Sequence, residues 1–401
     1  MQNLLSRMVK FFLSEVRVKN ILFIPGFLCD TWSTIEQYTI DLTKELSNEY
    51  NIIWLAPSIK NSDNAFKNIS NKDKLQEPVY VTEAKKHNIK VITADLSKFN
   101  LFKNLFILWQ IFNNYKIDAT LMQFGFERYV GTISTKLLGK KVIYTEYSNP
   151  LKLKYPLIRS FIYKLFVDHF IAVSHLSTET LPKSKTIDVV HNAIEVLDEN
   201  IIDEERSKKT SYREKLNLDK FNYVILMIAA FRHTKRHDLA IKIAEKVINN
   251  SKENIGFVFL GNEELYDKYK KQVEEQGLSS KIIMPGHVKN VNEYLAASDI
   301  SILTSDFEGL AVCLLESMHY KLATFSFNNS SAKELITNEK DGYLIEPENI
   351  DEYAEKLLFL INNPREIERL GQNAYQKIKN NFSMEIWRKN MKKVFDEIFA
   401  E

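Results

Sequence analysis

The strongest constraint on this chain is an alternation of short, wholly apolar runs with longer stretches of helical pattern. The first six runs are Asn20-Ile-Leu-Phe-Ile-Pro-Gly26, Tyr50-Asn-Ile-Ile-Trp-Leu55, Lys90-Val-Ile-Thr-Ala94, Ala119-Thr-Leu-Met-Gln123, Lys141-Val-Ile-Tyr-Thr145 and Phe170-Ile-Ala-Val-Ser174. A strand with one wet face would alternate apolar with polar residues. These runs do not, so both faces must be covered, as in a parallel sheet. Helical stretches such as Thr34–Leu46 supply the cover and make the connections βαβ units. A second series follows at Tyr223–Ala229, Gly256–Gly261, Lys281–Met284, Asp299–Leu303 and Ala323–Ser326, with helices over Asp238–Ile248 and Glu263–Gln276.

Between the two series, residues 195–215 are crowded with charge, which puts a domain boundary near 195. The expectation is α/β: two doubly wound, Rossmann-like domains, 1–195 and 196–380, facing a cleft. An amphipathic helix over Ser383–Phe399 lies in a 381–401 tail that packs back toward the N-terminal domain. A chain of 401 residues is long enough for two such cores. Ligands of these sheets sit beyond the carboxyl ends of the strands.

Composition removes several classes. With 11 Gly and 9 Pro the chain is neither collagen-like nor of low complexity. Two cysteines, Cys29 and Cys313, give no disulfide framework and fit a reducing compartment. No apolar run approaches the ~20 residues that span a bilayer, so a cytoplasmic protein, free or peripheral at the membrane, is expected. Leu4, Leu5, Met8, Val9, Phe12 and Val16 share one face of an N-terminal helix interrupted by Arg7 and Lys10. That helix packs on the domain or lies on a membrane surface.

The net charge of +2 is unevenly spread. Residues 1–200 hold 25 Lys/Arg against 20 Asp/Glu, and within 98–165 the count is 11 against 3. The same region carries Leu101-Phe-Lys-Asn-Leu-Phe-Ile-Leu-Trp109 and Leu151-Lys-Leu-Lys-Tyr-Pro-Leu-Ile-Arg159. Basic, aromatic helices suit an anionic membrane surface, and equally a buried helix with solvated lysines. No nucleic-acid-binding motif accompanies them.

Chemistry concentrates after the run at 299–303, in Ser305-Asp-Phe-Glu308-Gly309-Leu310-Ala311-Val-Cys-Leu-Leu-Glu316. Glu308 and Gly309 fall in a strand-to-helix turn, with the helix expected to begin near Leu310. Amides at a helix start favour an anion, and Gly309 admits close approach to the main chain. Glu316 lies eight residues beyond Glu308, about 10 Å if the span is mostly helical. Two acids so placed, with an anion site between, suit the two ends of a sugar diphosphonucleoside. The loop after 223–229 supplies the opposing cations, Arg232 and Lys235, whose planar fork and compact charge both suit phosphate oxygens. Arg236 and His237 are expected to be ordinary surface residues.

With these segments in order, the chain resembles the family-4 glycosyltransferases, which have the GT-B fold. The resemblance rests on Glu308-x7-Glu316, the Lys235 loop, His191-Asn-Ala-Ile194, Pro285 to Asp299, Ser330-Ser-Ala-Lys-Glu-Leu-Ile and Asp341-Gly342-Tyr-Leu-Ile. It implies a retaining transferase that moves a hexose or N-acetylhexosamine from a nucleotide sugar, with UDP foremost. The acceptor would be a glycan or a lipid-linked acceptor of surface polysaccharide, capsule, lipopolysaccharide or glycolipid assembly. No metal or other cofactor is implied.

By the resemblance, Glu308 contacts the hexose beside the amides of Gly309, Leu310 and Ala311, and Glu316 the ribose. Lys235 and Arg232 hold the diphosphate, and His287 and Val288 lie by the base. On the acceptor side Gly26 stands in the loop after the first strand, and Glu146 or Tyr147 takes the place of the family's histidine. Ala229-Ala230 replaces a frequent Gly-Arg, so Arg232 would restore that charge.

Other classes fare less well. The Ile24–Trp32 segment is like a hydrolase oxyanion loop, but no Gly-x-Ser-x-Gly exists. No Gly-x-Gly-x-x-Gly marks a dehydrogenase. A non-catalytic sugar-nucleotide binder and a nucleotide-sugar epimerase on the same fold stay open.

Overall fold

In the computed structural model, residues 18–25, 34–56, 79–123, 127–147, 156–328 and 331–400 are described. The N-terminal helix, Gly26, Cys29 and the segment 148–155 lie outside them. Seven parallel strands form the first sheet: β1 (Asn20–Ile24), β2 (Asn51–Ala56), β3 (Lys90–Thr93), β4 (Ala119–Met122), β5 (Lys141–Glu146), β6 (His169–Ala172) and β7 (Thr186–Val189). Their order is β3-β2-β1-β4-β5-β6-β7. Six parallel strands form the second: β8 (Tyr223–Ile228), β9 (Ile255–Leu260), β10 (Ile282–Gly286), β11 (Ile300–Leu303), β12 (Ala323–Phe327) and β13 (Tyr343–Ile345). Here the order is β10-β9-β8-β11-β12-β13. The architecture is GT-B.

Each sheet reverses its winding once, at β1/β4 and at β8/β11. At such a point the loops leaving two neighbouring strands diverge to opposite faces and open a crevice. The apolar runs supply β1, β2, β4, β5, β6, β8, β9, β11 and β12, whose residues are nearly all buried. Two edge strands escape a reading by apolar runs. β7 is only half-buried along its length, and β13 is three residues long.

Side chains on the two faces of the first sheet form separate cores. One joins Leu108, Ile111 and Phe112 of the helix Leu101–Tyr115 to Leu22, Ile24 and Tyr144. The other joins Ile21, Phe23 and Trp54 to the final helix, Met384–Ala400. Trp387, Met391, Val394, Phe395 and Ile398 recur there at helical spacing and are buried. The C-terminal helix is thus part of the first domain's core. The chain passes between domains twice, side by side: Ile194 donates its N–H to the Phe382 carbonyl at 3.1 Å, and Met384 donates to that of Ile194 at 3.0 Å.

The charged stretch after 195 is no free linker. It forms the helices Glu199–Ser207 and Lys209–Lys215. Ile202 is fully buried in the second domain, where Arg206 donates to the Tyr320 carbonyl at 2.9 Å.

Candidate functional site

The loops leaving β8 and β11 meet at the second sheet's switch point. After β8, a single 3₁₀ turn at His233–Lys235 places Lys235 over the end of β11. Its Nζ donates to Glu308 Oε1 at 2.5 Å, and Ser305 Oγ donates to the same oxygen at 2.6 Å. Both partners of the ion pair are mostly shielded from solvent. Burial works to lower the Lys235 pKa, but the facing Glu308 carboxylate outweighs it and the net shift is upward, so the lysine stays charged. The two loops are also stitched through their backbones. Asp306 N–H donates to Thr234 O at 2.9 Å, and Thr304 Oγ1 to Lys235 O at 2.9 Å.

The helix after β11 begins at Val312, two residues later than its sequence suggests. Residues 308–311 are turn and extended chain, so helical rise does not describe the Glu308–Glu316 separation. Leu310 and Ala311 point their side chains into the core. The amides of Gly309, Leu310, Ala311 and Val312 have no backbone carbonyl partner among the described residues. Four free N–H groups at a helix start, beside an ammonium, form a site for an anion. Glu316 lies on the second turn of this helix, half-buried and with no polar partner among the described residues. Burial alone pushes its carboxyl up to about 7. Cys313 sits between these groups, its thiol pushed up to about 12 by burial first and by Glu308 second.

Gly309 has a further reason to be glycine. A Cβ there would stand 2.9 Å from the Tyr147 carbonyl oxygen, at the carboxyl end of β5. The two domains therefore touch, main chain to main chain, at the crevice. Glu334 makes a second contact across the interface. Its carboxylate accepts the amides of His175 at 2.9 Å and Leu176 at 3.2 Å, and contacts His191 Nε2 at 2.7 Å. Two amide bonds and the histidine hold this carboxyl's pKa down against the opposing effect of burial. Among the described residues, His175, His191 and Glu334 are the one group of histidine and acid side chains close enough to share an ion. The short segment carrying Glu334 also touches the site, since Ser331 Oγ donates to Glu308 O at 3.3 Å.

Several expectations need correcting. Arg232 is exposed and paired with Glu263 at 2.8 Å, and its side chain makes no hydrogen bond to the Lys235–Glu308 pair among the described residues. Glu146 is 0% exposed. Its carboxylate is bound by the buried Arg159 guanidinium, so it faces the first domain's interior and not an acceptor. Tyr147 is nearer the crevice, its hydroxyl accepting from Gln123 Nε2 at 3.0 Å. His237 is fully buried, stacked on Phe231 at 3.8 Å between centroids, and desolvation lowers its pKa to about 3. Arg236 is no idle surface group either. It binds Asp238, Asp306 and Glu348, tying the β8 loop to the β11 loop. His287 is exposed at the carboxyl end of β10, and Val288 is partly buried against the second domain's core.

Residues 208–377 match the family model described as glycosyl transferases group 1. This region belongs to that family. The matched region and the domain before it together align with solved GT-B structures. The HepE protein of Anabaena, solved with UDP, superposes with a TM-score of 0.77 at 14% identity, over 95% of this chain and all of its own.

Among curated relatives, the poly(ribitol-phosphate) alpha-N-acetylglucosaminyltransferase of Staphylococcus aureus is 31% identical over 38% of this chain, which spans 31% of that protein's length. A Campylobacter jejuni N-acetyl-D-galactosaminyltransferase, whose name specifies a diphospho-undecaprenol-linked acceptor, is 26% identical over 77% of this chain and 82% of its own.

Proposed function

We propose that the protein is a retaining glycosyltransferase. It takes a hexose or N-acetylhexosamine from a nucleoside diphosphate sugar, UDP foremost, and passes it to a lipid-linked or polymeric acceptor of surface-glycan assembly at the cytoplasmic side of the membrane. One observation carries this reading: Lys235 and Glu308 stand together at the switch point, beside four amides that have no carbonyl partner among the described residues.

In the proposed reaction the diphosphate enters between Lys235 and the amides of 309–312, and Glu308 exchanges the ammonium for hexose hydroxyls. Glu316, already desolvated and without a polar partner among the described residues, accepts the ribose hydroxyls. The backbone at His287 and Val288 lies by the base. The bond from the anomeric carbon to the phosphate oxygen breaks, and a bond from that carbon to the acceptor oxygen forms on the same face. The acceptor proton passes to the departing phosphate. Charge on the leaving group is met by Lys235 and fixed backbone dipoles, an electrostatic role that needs no metal. Arg232 can reach the diphosphate only by releasing Glu263.

Support for the acceptor class comes from the relatives' names, which specify poly(ribitol-phosphate) or diphospho-undecaprenol-linked sugars.

Incubation with a panel of sugar nucleotides and a diphospho-undecaprenol-linked sugar tests the reading. Free nucleoside diphosphate should appear only when both substrates are present. An isomerised sugar without release would mean an epimerase, and binding without either change a sugar-nucleotide-binding protein.

A further inference from the structure

Two helices of the first domain are apolar on both sides. The helix Leu101–Tyr115 buries Leu108, Ile111 and Phe112 against the sheet, yet exposes Phe102, Phe106 and Trp109. The helix Pro156–Phe166 exposes Leu157, Ile158, Phe161 and Leu165. A surface helix of a soluble domain turns polar residues outward. The exposure is extreme: Phe99 is 91% accessible, Phe102 84% and Leu157 85%. Both helices cover the same face of the sheet and pack against the helix Glu127–Leu137 between them.

Topology places the most exposed of these groups. β3 and β5 each end at the carboxyl edge of the sheet, and the chain then returns antiparallel as a helix. The starts of both helices, with Phe99 just before one and Phe102, Leu157 and Phe161 within their first two turns, therefore lie toward the carboxyl edge, where Tyr147 meets Gly309. The apolar surface rims the crevice.

Charge selects the occupant. Neither helix contains an Asp or Glu, while Lys98, Lys103, Lys116 and Lys164 are exposed on or beside them. A second copy would bring lysines against lysines. An anionic bilayer offers matching charge and takes up Phe and Trp at its interface. We propose that this face docks on an anionic lipid surface and brings the acceptor side of the crevice to the membrane, so that a lipid-linked acceptor reacts without leaving it. This rests on the lipid-linked reading of the acceptor; the docking step itself does not depend on turnover.

The test is co-sedimentation of the full chain with vesicles of phosphatidylcholine alone, or of phosphatidylcholine and phosphatidylglycerol at about two to one. The protein should pellet with the anionic vesicles at low salt, and Trp109 emission should shift to the blue and be quenched by brominated lipid. Trp54 and Trp387 are buried already, and all fluorescence is read in a Trp32→Phe background to remove the fourth tryptophan. The variant Phe99→Ser/Phe102→Ser/Phe161→Ser should lose at least about tenfold in partitioning, and Lys103→Ala about fivefold. These positions are exposed, so melting temperature and UDP binding should not change. If the triple variant fails to fold, Trp109 quenching in the unaltered protein decides alone. Pelleting that is equal for both proteins, or no binding to anionic vesicles, overturns the proposal. So does a dimer that only the triple variant dissolves. Absent nucleotide release with intact vesicle binding would instead overturn the proposed reaction.

Discussion

Glu316→Gln offers the sharpest separation of stability from function in this protein. The carboxyl has its pKa raised from the ordinary 4.5 to about 7 by burial, with no cation to compensate. Holding it ionised in the fold therefore costs about 3 kcal/mol, at about 1.4 kcal/mol per tenfold change in proton affinity. The folded form binds the proton more tightly than the unfolded form. Its contribution is thus fully present below pH 4.5 and is lost as pH rises toward 7. Gln cannot ionise and keeps the shape. At pH 4 the two proteins should melt alike. At pH 8 the variant should be more stable by up to about 3 kcal/mol, and its melting temperature higher by several degrees.

Function should move the other way. The ionised acid is the form that accepts ribose hydroxyls, so UDP should bind the unaltered protein more tightly above pH 7 than below it. The variant should bind UDP weakly and without that pH dependence. Differential scanning calorimetry and titration calorimetry at the two pH values measure both effects. A variant less stable than its parent at pH 8, or UDP binding that is flat with pH in the parent, would refute the reasoning.

Lys235→Ala should lower nucleoside diphosphate release by about 10² or more in single-turnover assays. Arg232→Ala, whose side chain is exposed and held by Glu263, should lower it far less; equal losses would move the diphosphate toward β9. Gly309→Ala places a methyl group 2.9 Å from the Tyr147 carbonyl, so one of the two backbones must shift at the crevice. Turnover in the nucleoside diphosphate release assay should fall with little change in melting temperature; unchanged turnover would mean that this contact does not position the site.

The chain's own pattern foretold much of this. The parallel α/β class follows from apolar runs that read along the chain, because a strand covered on both faces leaves that mark in a handful of consecutive residues. Lys235, Glu308 and the amides after it were legible for a similar reason: each loop follows directly on an apolar run, and charge beside glycine is a local signal. The short edge strands β7 and β13 left little such mark.

Other features exist only once the chain is folded. Nothing near residue 334 announces a partner 158 positions away, yet Glu334 grips the Leu176 amide across the interface. Glu146 and Tyr147 are neighbours in sequence, and only packing sends one to Arg159 in the interior and leaves the other beside Gln123 near the crevice. The apolar face of the helix Leu101–Tyr115 shows the same limit, because its sequence is equally suited to a core or to a membrane. Periodicity records which residues share a side of an element. What that side meets depends on which other elements fill the space opposite, and that is settled by distant parts of the chain.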